Sequence, residues 1–414
     1  MKITVAPQLL SGEVAAPASK SYAHRWLIAA YLAGVPCRIV GAGDSQDVMA
    51  TLCALQAMGL SARSLRKGIR IEGRTLPREA TVYCRESGST LRFLLPIAAA
   101  LGIRATFTGE EGLLKRPIEG LRQALNAHGA DIEGLTVRGK LQAGDYLVDA
   151  SVSSQYVTGL LFALPLLEGD SRIRYKDGRV VSRDYINLTI AVLERAGIVV
   201  RPTEDGFAIA GNQRYSLPHT LSVEGDWSAA AFMLAAGAIG GDVRVSNLNA
   251  RSLQGDMRIL PILQRFGAQI SVNARGVGVQ GGRLAGTIVD IDPVPDLAQI
   301  VAVVAAYAEG TTILRNVGRL RLKESDRERA ILDMLRTAGI QANTVGDDLY
   351  IEGGAPRGGD FGAGNDHRTA MSAAILATAA AGASTIDEPQ VVAKSYPAFW
   401  QDFEALGGMI DGDI

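Results

Sequence analysis

Aromatic residues are scarce in this sequence, and neither sign of charge is in clear excess. Aromatics make up 6% of the 414 residues, so Ala, Leu, Ile and Val must fill most of the core that a 47% apolar content allows. The 42 Lys and Arg residues balance 43 Asp and Glu residues. A nucleic acid or an anionic membrane would require a basic surface, so we expect neither as a partner. The length favours two or three domains over one.

Cysteines and long apolar runs are also few. Cys37, Cys53 and Cys84 are odd in number and fit no zinc spacing, and the four histidines are scattered. We therefore expect no metal and no cofactor. No apolar run approaches the roughly 20 residues of a membrane span, and the opening MKITVAPQLLSGEVAAP lacks the core of a signal peptide. A reduced, cytoplasmic protein with no membrane partner is predicted.

An internal repeat of about 70 residues is the clearest pattern present. A helix pattern with Leu, Ile or Phe three and four residues apart ends each time in a glycine, at Gly59, Gly129, Gly197, Gly267, Gly339 and Gly407. A smaller, Ala-rich helix pattern alternates with it and ends at Gly34, Gly102, Gly169, Gly240, Gly310 and Gly382. Its small residues on all sides predict helices that are buried almost all round.

Short β-prone runs follow both helix patterns, as in CRIVGA, VRVSNL and TILRNV after the Ala-rich ones. The repeat is therefore about βαβαββ, written six times. One copy is too small to hold a core alone, so we group the copies three and three. The predicted fold class is α/β, with two similar domains of three units each.

Unusual polar residues precede the predicted helices. Helix N-termini carry partial positive charge, so cations there are unfavourable by roughly 0.3–1 kcal/mol each. Yet cations lie at or just inside predicted helix starts at Lys20, Arg25, Arg92, Arg116, Lys323, Arg327, Arg368 and Lys394. Anionic ligands would resolve this conflict, because helix N-termini and Lys or Arg both attract phosphate and carboxylate. Each residue alone reads as a surface charge or a helix cap; together they predict a shared anion site.

The segments KSYAHR, ESGSTLR, LKRPIEG, SSQY, KESDR, NDHR and KSYP occur in this order across nearly the whole chain. Together they closely resemble the 5-enolpyruvylshikimate-3-phosphate synthase family. The resemblance implies an inside-out α/β barrel of two domains, 1–18 with 224–414 and 19–223, each with pseudo-threefold symmetry. It also implies transfer of the enolpyruvyl group of phosphoenolpyruvate to the 5-hydroxyl of shikimate 3-phosphate in aromatic amino acid biosynthesis. We expect a monomer.

The matching positions imply the site residues. For shikimate 3-phosphate and its 3-phosphate they are Lys20, Ser21, Arg25, Ser153, Ser154, Gln155, Ser182 and Lys323. For phosphoenolpyruvate they are Gly88, Arg116, Arg327, Arg368 and Lys394, with Lys20 and Gln155 shared. Asp296 is the expected base for the hydroxyl, and Glu324 the expected proton donor to the methylene carbon, with Lys20 as the competing donor.

Some positions depart from the family pattern. Glu86 stands where many members have Asn, and Ser89 where many have Thr. Asp184 replaces a common Pro, and Phe93 follows Arg92 where others have Pro. Arg319 occupies a place where some members have a substrate-binding Asn. These departures put sensitivity to an inhibitor such as glyphosate in doubt more than activity.

Two alternatives share the fold. The sister enzymes that use UDP-N-acetylglucosamine carry a cysteine just before an Arg-Pro pair, whereas the corresponding loop here, GEEGLLKRP, has none. A non-catalytic phosphosugar-binding protein would be expected to lose its titratable groups, whereas Lys20, Asp296 and Glu324 are all present. Both are disfavoured.

Overall fold

The computed structural model describes residues 1–412. The chain divides into two compact units. The first unit is Met1–Pro17 with Glu224–Ile414, and the second unit is Ala18–Val223. The boundaries expected from the sequence differ from this division by one residue. Each unit has a hydrophobic core of its own.

The strands and helices follow in chain order. The first unit begins with β1 (Lys2–Ala6) and β2 (Ser11–Ala15). The second unit contains α1 (Lys20–Ala33), β3 (Cys37–Val40), α2 (Gln46–Ala57), β4 (Leu60–Leu65), β5 (Gly68–Arg74), β6 (Glu79–Tyr83), α3 (Gly88–Leu101), β7 (Arg104–Thr108), α4 (Glu111–Leu114), α5 (Glu119–Asn126), β8 (Ala130–Glu133), β9 (Thr136–Gly139), β10 (Asp145–Val148), α6 (Ser154–Ala163), β11 (Ser171–Tyr175), α7 (Arg183–Arg195), β12 (Val200–Thr203), β13 (Gly206–Ile209) and β14 (Thr220–Ser222).

The chain then returns to the first unit. Its remaining elements are α8 (Trp227–Ala238), β15 (Asp242–Ser246), α9 (Ile259–Phe266), β16 (Gln269–Asn273), β17 (Gly276–Gln280), β18 (Ile288–Asp290), α10 (Ala298–Ala306), β19 (Thr311–Arg315), α11 (Arg327–Thr337), β20 (Gln341–Val345), β21 (Asp348–Glu352), β22 (Asp360–Phe361), α12 (His367–Ala377), β23 (Ser384–Asp387), α13 (Phe399–Ala405) and β24 (Met409–Asp411). Short 3-10 helices occur at Leu164–Leu166, Lys176–Gly178, Gly255–Arg258, Pro295–Leu297, Val317–Leu322 and Pro389–Lys394.

The strands of residues 1–412 form six four-stranded sheets, three in each unit. In the sheet β6-β7-β9-β8, β6 and β7 run parallel and α3 connects them, while β9 and β8 complete the sheet antiparallel. This is the predicted βαβαββ unit. The parallel pair needs a helical crossover, whereas the antiparallel pair closes through a short turn.

Some sheets contain strands from distant parts of the chain, which the sequence pattern did not predict. The first sheet of the second unit takes β14, from the end of that unit, as the parallel neighbour of β3. In the first unit β2 pairs parallel with β15, and the N-terminal β1 completes the sheet of β22, β23 and β24. Each unit is thus closed by strands far apart in sequence.

The Ala-rich helices are buried on most sides, as predicted. In the first unit α8, α10 and α12 are buried along almost their whole length. In the second unit α1, α3 and α6 are buried likewise. The Leu-patterned helices, such as α7 and α11, bury one face only.

The helix ends also follow the sequence. All twelve glycines predicted to end helices have positive φ, from 66° at Gly34 to 131° at Gly240. Side chains cap several helix starts, including those of Ser19, Ser87, Ser153, Asp226, Asp326 and Asp366. The predicted polar segments therefore lie at the helix N-termini.

Candidate active site

In the second unit, Lys20 is the first residue of α1. Its Nζ lies 2.9 Å from Oδ2 of Asp47, which is in the first turn of α2. A lysine at a positive helix end is therefore compensated by a carboxylate of the neighbouring helix. The sequence pattern predicted an anion beside Lys20, but it did not single out Asp47 for that role.

Arg25 lies one turn further along α1, where it is buried. Its Nε donates to Oγ1 of Thr189 at 2.9 Å, its Nη2 to the carbonyl of Tyr185 at 2.8 Å, and its Nη1 to the carbonyl of Ser21 at 2.8 Å. Burial lowers the pKa of Arg25 to about 10. The guanidinium thus holds α1 against α7, whose N-cap residue is Ser182.

The start of α6 carries Ser153, Ser154 and Gln155. Oγ of Ser153 accepts from the backbone N–H of Gln155 at 3.3 Å. The Gln155 side chain accepts from Nη1 of Arg92 at 2.7 Å and donates to Oγ of Ser89 at 2.9 Å. Both groups lie on α3, so the amide is fixed in direction between them.

Gly88, the first residue of α3, lies against Arg116. A Cβ added at Gly88 would come within 2.5 Å of Nη1 of Arg116. Arg92 donates from Nη2 to the carbonyl of Pro117 at 2.7 Å and so fixes the loop that carries Arg116. The sequence pattern counted Arg92 among the cations of the shared anion site, whereas the family resemblance assigned it no ligand.

In the first unit, one guanidinium contacts three carboxylates. Arg327, the first residue of α11, is 1% exposed. Its nitrogens lie 2.7 Å from Oδ1 of Asp296, 2.8 Å from Oε2 of Glu324 and 2.8 Å from Oδ2 of Asp366. Burial alone would lower the pKa of Arg327, but the three carboxylates raise it above its ordinary value.

Asp296 is also close to two other cations. Its Oδ1 lies 3.7 Å from Nζ of Lys323, and its Oδ2 lies 3.6 Å from Nη2 of Arg368. Nη1 of Arg368 donates to the backbone carbonyl of Asp296 at 3.0 Å. Burial, together with Arg327 and Arg319, lowers the pKa of Lys323 to about 8 although Asp296 opposes the shift.

The segment before α12 orders the remaining cations. Asp366 caps α12 and is fully buried. Burial raises the pKa of the Asp366 carboxyl, but Arg327 and His367 lower the pKa more, so its value is below the usual one. Nζ of Lys394 donates to the carbonyl of Asn365 at 2.6 Å and to its Oδ1 at 2.8 Å. Arg368 and Lys394 are thereby both tied to this segment.

The structure brings the expected residues into two clusters, one in each unit. The first unit gathers Asp296, Lys323, Glu324, Arg327 and Arg368 around direct ion pairs. In the second unit Lys20 pairs with Asp47 on α2, Arg25 joins α1 to α7, Gln155 joins α6 to α3, and Gly88 lies against Arg116. Sequence reasoning did not single out Asp47, Asn365 and Asp366, which contact the expected residues. Each stands in or next to a polar segment at a helix start, which is the signal that could have found them.

Within the described residues 1–412, no group of three or more His, Cys, Asp or Glu side chains is placed to hold a metal ion. No helix of that part of the chain is long and apolar enough to cross a membrane.

Comparison with known proteins identifies the family. The model of the EPSP synthase (3-phosphoshikimate 1-carboxyvinyltransferase) family matches residues 5–403. The chain belongs to the EPSP synthase family. The 3-phosphoshikimate 1-carboxyvinyltransferase of Clostridium kluyveri is 38% identical over 423 residues, covering 99% of this chain and 98% of that protein. That of Thermococcus kodakarensis is 38% identical over 407 residues, covering 95% and 97%.

The fold agrees with a solved member of the EPSP synthase family. A structure of the enzyme from Acinetobacter baumannii superimposes with a TM-score of 0.83 at 24% identity, covering 99% of this chain and 100% of that one. The predicted family, the α/β inside-out barrel and the predicted activity, 3-phosphoshikimate 1-carboxyvinyltransferase of the shikimate pathway, are confirmed. The family implies phosphoenolpyruvate and shikimate 3-phosphate as substrates.

Proposed function

We propose that the two clusters supply the residues of enolpyruvyl transfer. The single observation that supports this most directly is Arg327, whose one guanidinium bonds both Asp296 and Glu324, the expected base and the expected proton donor. Two carboxylates held at fixed positions by one planar guanidinium can act separately as general acid and general base.

Phosphoenolpyruvate carries a phosphate and a carboxylate, and guanidinium groups bind both kinds of anion in a bidentate manner. We assign its recognition to Gly88, Arg116, Arg327, Arg368 and Lys394. Arg327 already makes three contacts with carboxylates of the protein. Its main part is therefore to position Asp296 and Glu324, while Arg116, Arg368 and Lys394 supply most of the grip on the anion.

Shikimate 3-phosphate offers a phosphate, hydroxyls and a carboxylate. Its proposed contacts are Lys20, Ser21, Arg25, Ser153, Ser154, Gln155, Ser182 and Lys323. Ser153 and Ser182 lie at helix N-caps and Ser154 begins α6, so serine hydroxyls lie next to the positive ends of α6 and α7, where an anion is favoured. Arg25, held by three hydrogen bonds, contributes a fixed positive charge.

Asp296 takes the proton of the sugar 5-hydroxyl as its oxygen attacks carbon 2 of phosphoenolpyruvate. The methylene carbon gains a proton, which gives a tetrahedral intermediate. That intermediate loses phosphate as a proton leaves the methyl group again. The cations around Asp296 stabilise the charge that develops, and preorganised electrostatic stabilisation usually contributes more than any other single effect to the rate enhancement of such reactions.

Glu324 is the proposed proton donor, and Lys20 remains the competitor. Arg327 donates to Glu324 at 2.8 Å, and Nζ of Lys20 lies 2.9 Å from Asp47, so each candidate is held by a partner of opposite charge. Incorporation of solvent deuterium into phosphoenolpyruvate separates the two: the variant that lacks the donor, Glu324→Gln or Lys20→Met, loses the exchange.

Asp296→Asn is the test of the mechanism. Loss of a general base lowers kcat by about 10²–10⁴, measured as phosphate release with both substrates saturating. Asp333→Asn is the matched control, because Asp333 lies on the exposed face of α11 and pairs there with Arg329 and Arg336. Asp296→Asn with wild-type kcat would assign the base to another group.

The protein is proposed to act as a cytoplasmic monomer. Sedimentation at micromolar concentration should give the mass of one 43.7 kDa chain, and a concentration-dependent larger species would contradict this.

A further inference from the structure

A chain of four buried polar side chains crosses the second unit beside the proposed site. Nδ1 of His24 lies 2.6 Å from Oγ1 of Thr51, which lies 2.7 Å from Oγ1 of Thr90. Oγ1 of Thr90 donates to Oγ of Ser87 at 2.8 Å, and Ser87 caps α3 by accepting the Thr90 N–H. All four side chains are at most 2% exposed. The chain therefore links α1, α2 and α3 with no competition from bulk water.

The chain runs parallel to the Lys20–Asp47 ion pair. Lys20 and His24 are one turn apart on α1, and Asp47 and Thr51 are one turn apart on α2, so the two contacts are successive cross-links between these helices. The far end of the chain is the cap of the helix that begins at Gly88. The chain thus connects the helix that carries Lys20 with the helix that carries Gly88.

The order of donors fixes the tautomer of His24. Thr90 gives its single hydroxyl hydrogen to Ser87, so the hydrogen of Thr51 goes to Thr90 at 2.7 Å or to the carbonyl of Asp47 at 3.5 Å. The hydrogen of Thr51 is then used as well, and Nδ1 of His24 must be the donor to Thr51. The reverse order would place the hydrogen on Nε2, which is buried and has no hydrogen-bond partner among residues 1–412. A buried N–H without an acceptor is rarer than a buried acceptor without a donor.

The surroundings also keep His24 neutral. Burial lowers the pKa of its ring to about 3; Lys20 and Arg25 act in the same direction and Asp47 against it.

We propose that His24 is a positioning residue, held as the neutral Nδ1–H tautomer, which through Thr51, Thr90 and Ser87 fixes the start of α3 relative to Lys20. The proposal rests on the proposed function for its catalytic meaning, because it concerns the spacing of Lys20 and Gly88. The tautomer itself does not depend on that function.

Long-range ¹H–¹⁵N correlation spectra of the full-length protein test the tautomer directly. The chain has four histidines, and His24→Asn identifies the signal of interest. We expect Nδ1 protonated and Nε2 unprotonated at neutral pH, with no change on acidification to about pH 5, well above the ring's lowered pKa. A protonated Nε2, in either the neutral or the charged ring, would overturn the proposal.

Steady-state kinetics test the positioning role. Thr51→Val removes the hydroxyl with little change in volume and should raise KM for phosphoenolpyruvate about 2–10-fold, the size of one neutral hydrogen bond. KM for shikimate 3-phosphate should change less, and Thr51→Ser should restore the wild-type value. Thr312→Val is the control, since Thr312 is a fully buried threonine on β19 of the first unit.

An unchanged KM for phosphoenolpyruvate in Thr51→Val, or an equal rise in Thr312→Val, would refute the positioning role. If the wild-type protein shows no transferase activity, the proposed function fails, whereas the spectra still decide the tautomer.

Discussion

The substitution Gly88→Ala tests the contact between α3 and Arg116. The new Cβ would lie 2.5 Å from Nη1, 2.8 Å from Cζ and 3.2 Å from Nη2 of Arg116. Carbon atoms do not approach nitrogen so closely, so one group must move. The backbone of α3 is fixed by the Ser87 cap, whereas the guanidinium is the far end of a flexible side chain. We therefore expect Arg116 to move away from Gly88.

The size of the effect follows from the cost of overpacking. Introducing one methyl group into a filled space costs about 1–3 kcal/mol. If that cost falls on the binding of phosphoenolpyruvate through Arg116, its KM rises about 5–150-fold. The KM for shikimate 3-phosphate and the melting temperature should change little. An anionic inhibitor that uses the same space, such as glyphosate, should lose affinity as well.

The assay is phosphate release with phosphoenolpyruvate varied at saturating shikimate 3-phosphate. Gly112→Ala is the matched control: Gly112 lies in α4, and a Cβ there has nothing within 4 Å. The reasoning is refuted if Gly88→Ala keeps KM for phosphoenolpyruvate within twofold of wild type, or if Gly112→Ala raises it equally.

Three further predictions concern the charged residues. Lys20→Met should reduce kcat by about 10²–10⁴ in the same assay, and wild-type turnover would remove Lys20 from the mechanism. Affinity for shikimate 3-phosphate should fall as pH rises through about 8, because the pKa of Lys323 is lowered to that value and the side chain then loses its charge. Lys323→Arg should remove this pH dependence. A flat pH profile of the wild-type affinity would count against the assignment of Lys323. Arg327→Met leaves the fully buried Asp366 without its guanidinium partner and should lower the free energy of unfolding, measured in urea, by about 3–5 kcal/mol. A decrease below about 1 kcal/mol would show that other groups satisfy the Asp366 carboxylate.

The helix ends were predictable because they depend on local chemistry. A glycine after a spaced apolar pattern predicts a left-handed C-terminal residue, and Gly34 and Gly267 have φ of 66° and 111°. Polar residues before each helix likewise marked the caps, as at Ser87 and Asp366. The 70-residue period made these local signals reinforce one another.

The partners of the charged residues were less predictable. Arg25 and Arg92 were expected at or just inside helix starts, and they lie in the second turns of α1 and α3; the sequence did not show that they join neighbouring helices there. The cations were expected to bind anionic ligands, yet Lys20 and Arg327 lie beside carboxylates of the protein itself. A sequence pattern shows that a charge needs compensation, but not which group supplies it.

The sequence by itself determined the sixfold repeat, the α/β class and the places where helices begin and end. Those features depend on side-chain periodicity and on residues only a few positions apart. The tertiary structure alone decided that Arg327 meets Asp296 and Asp366, which are 31 and 39 residues away. It also decided that His24 reaches Ser87 through Thr51 and Thr90. Such contacts depend on how helices of different repeats pack in three dimensions, which no local pattern encodes.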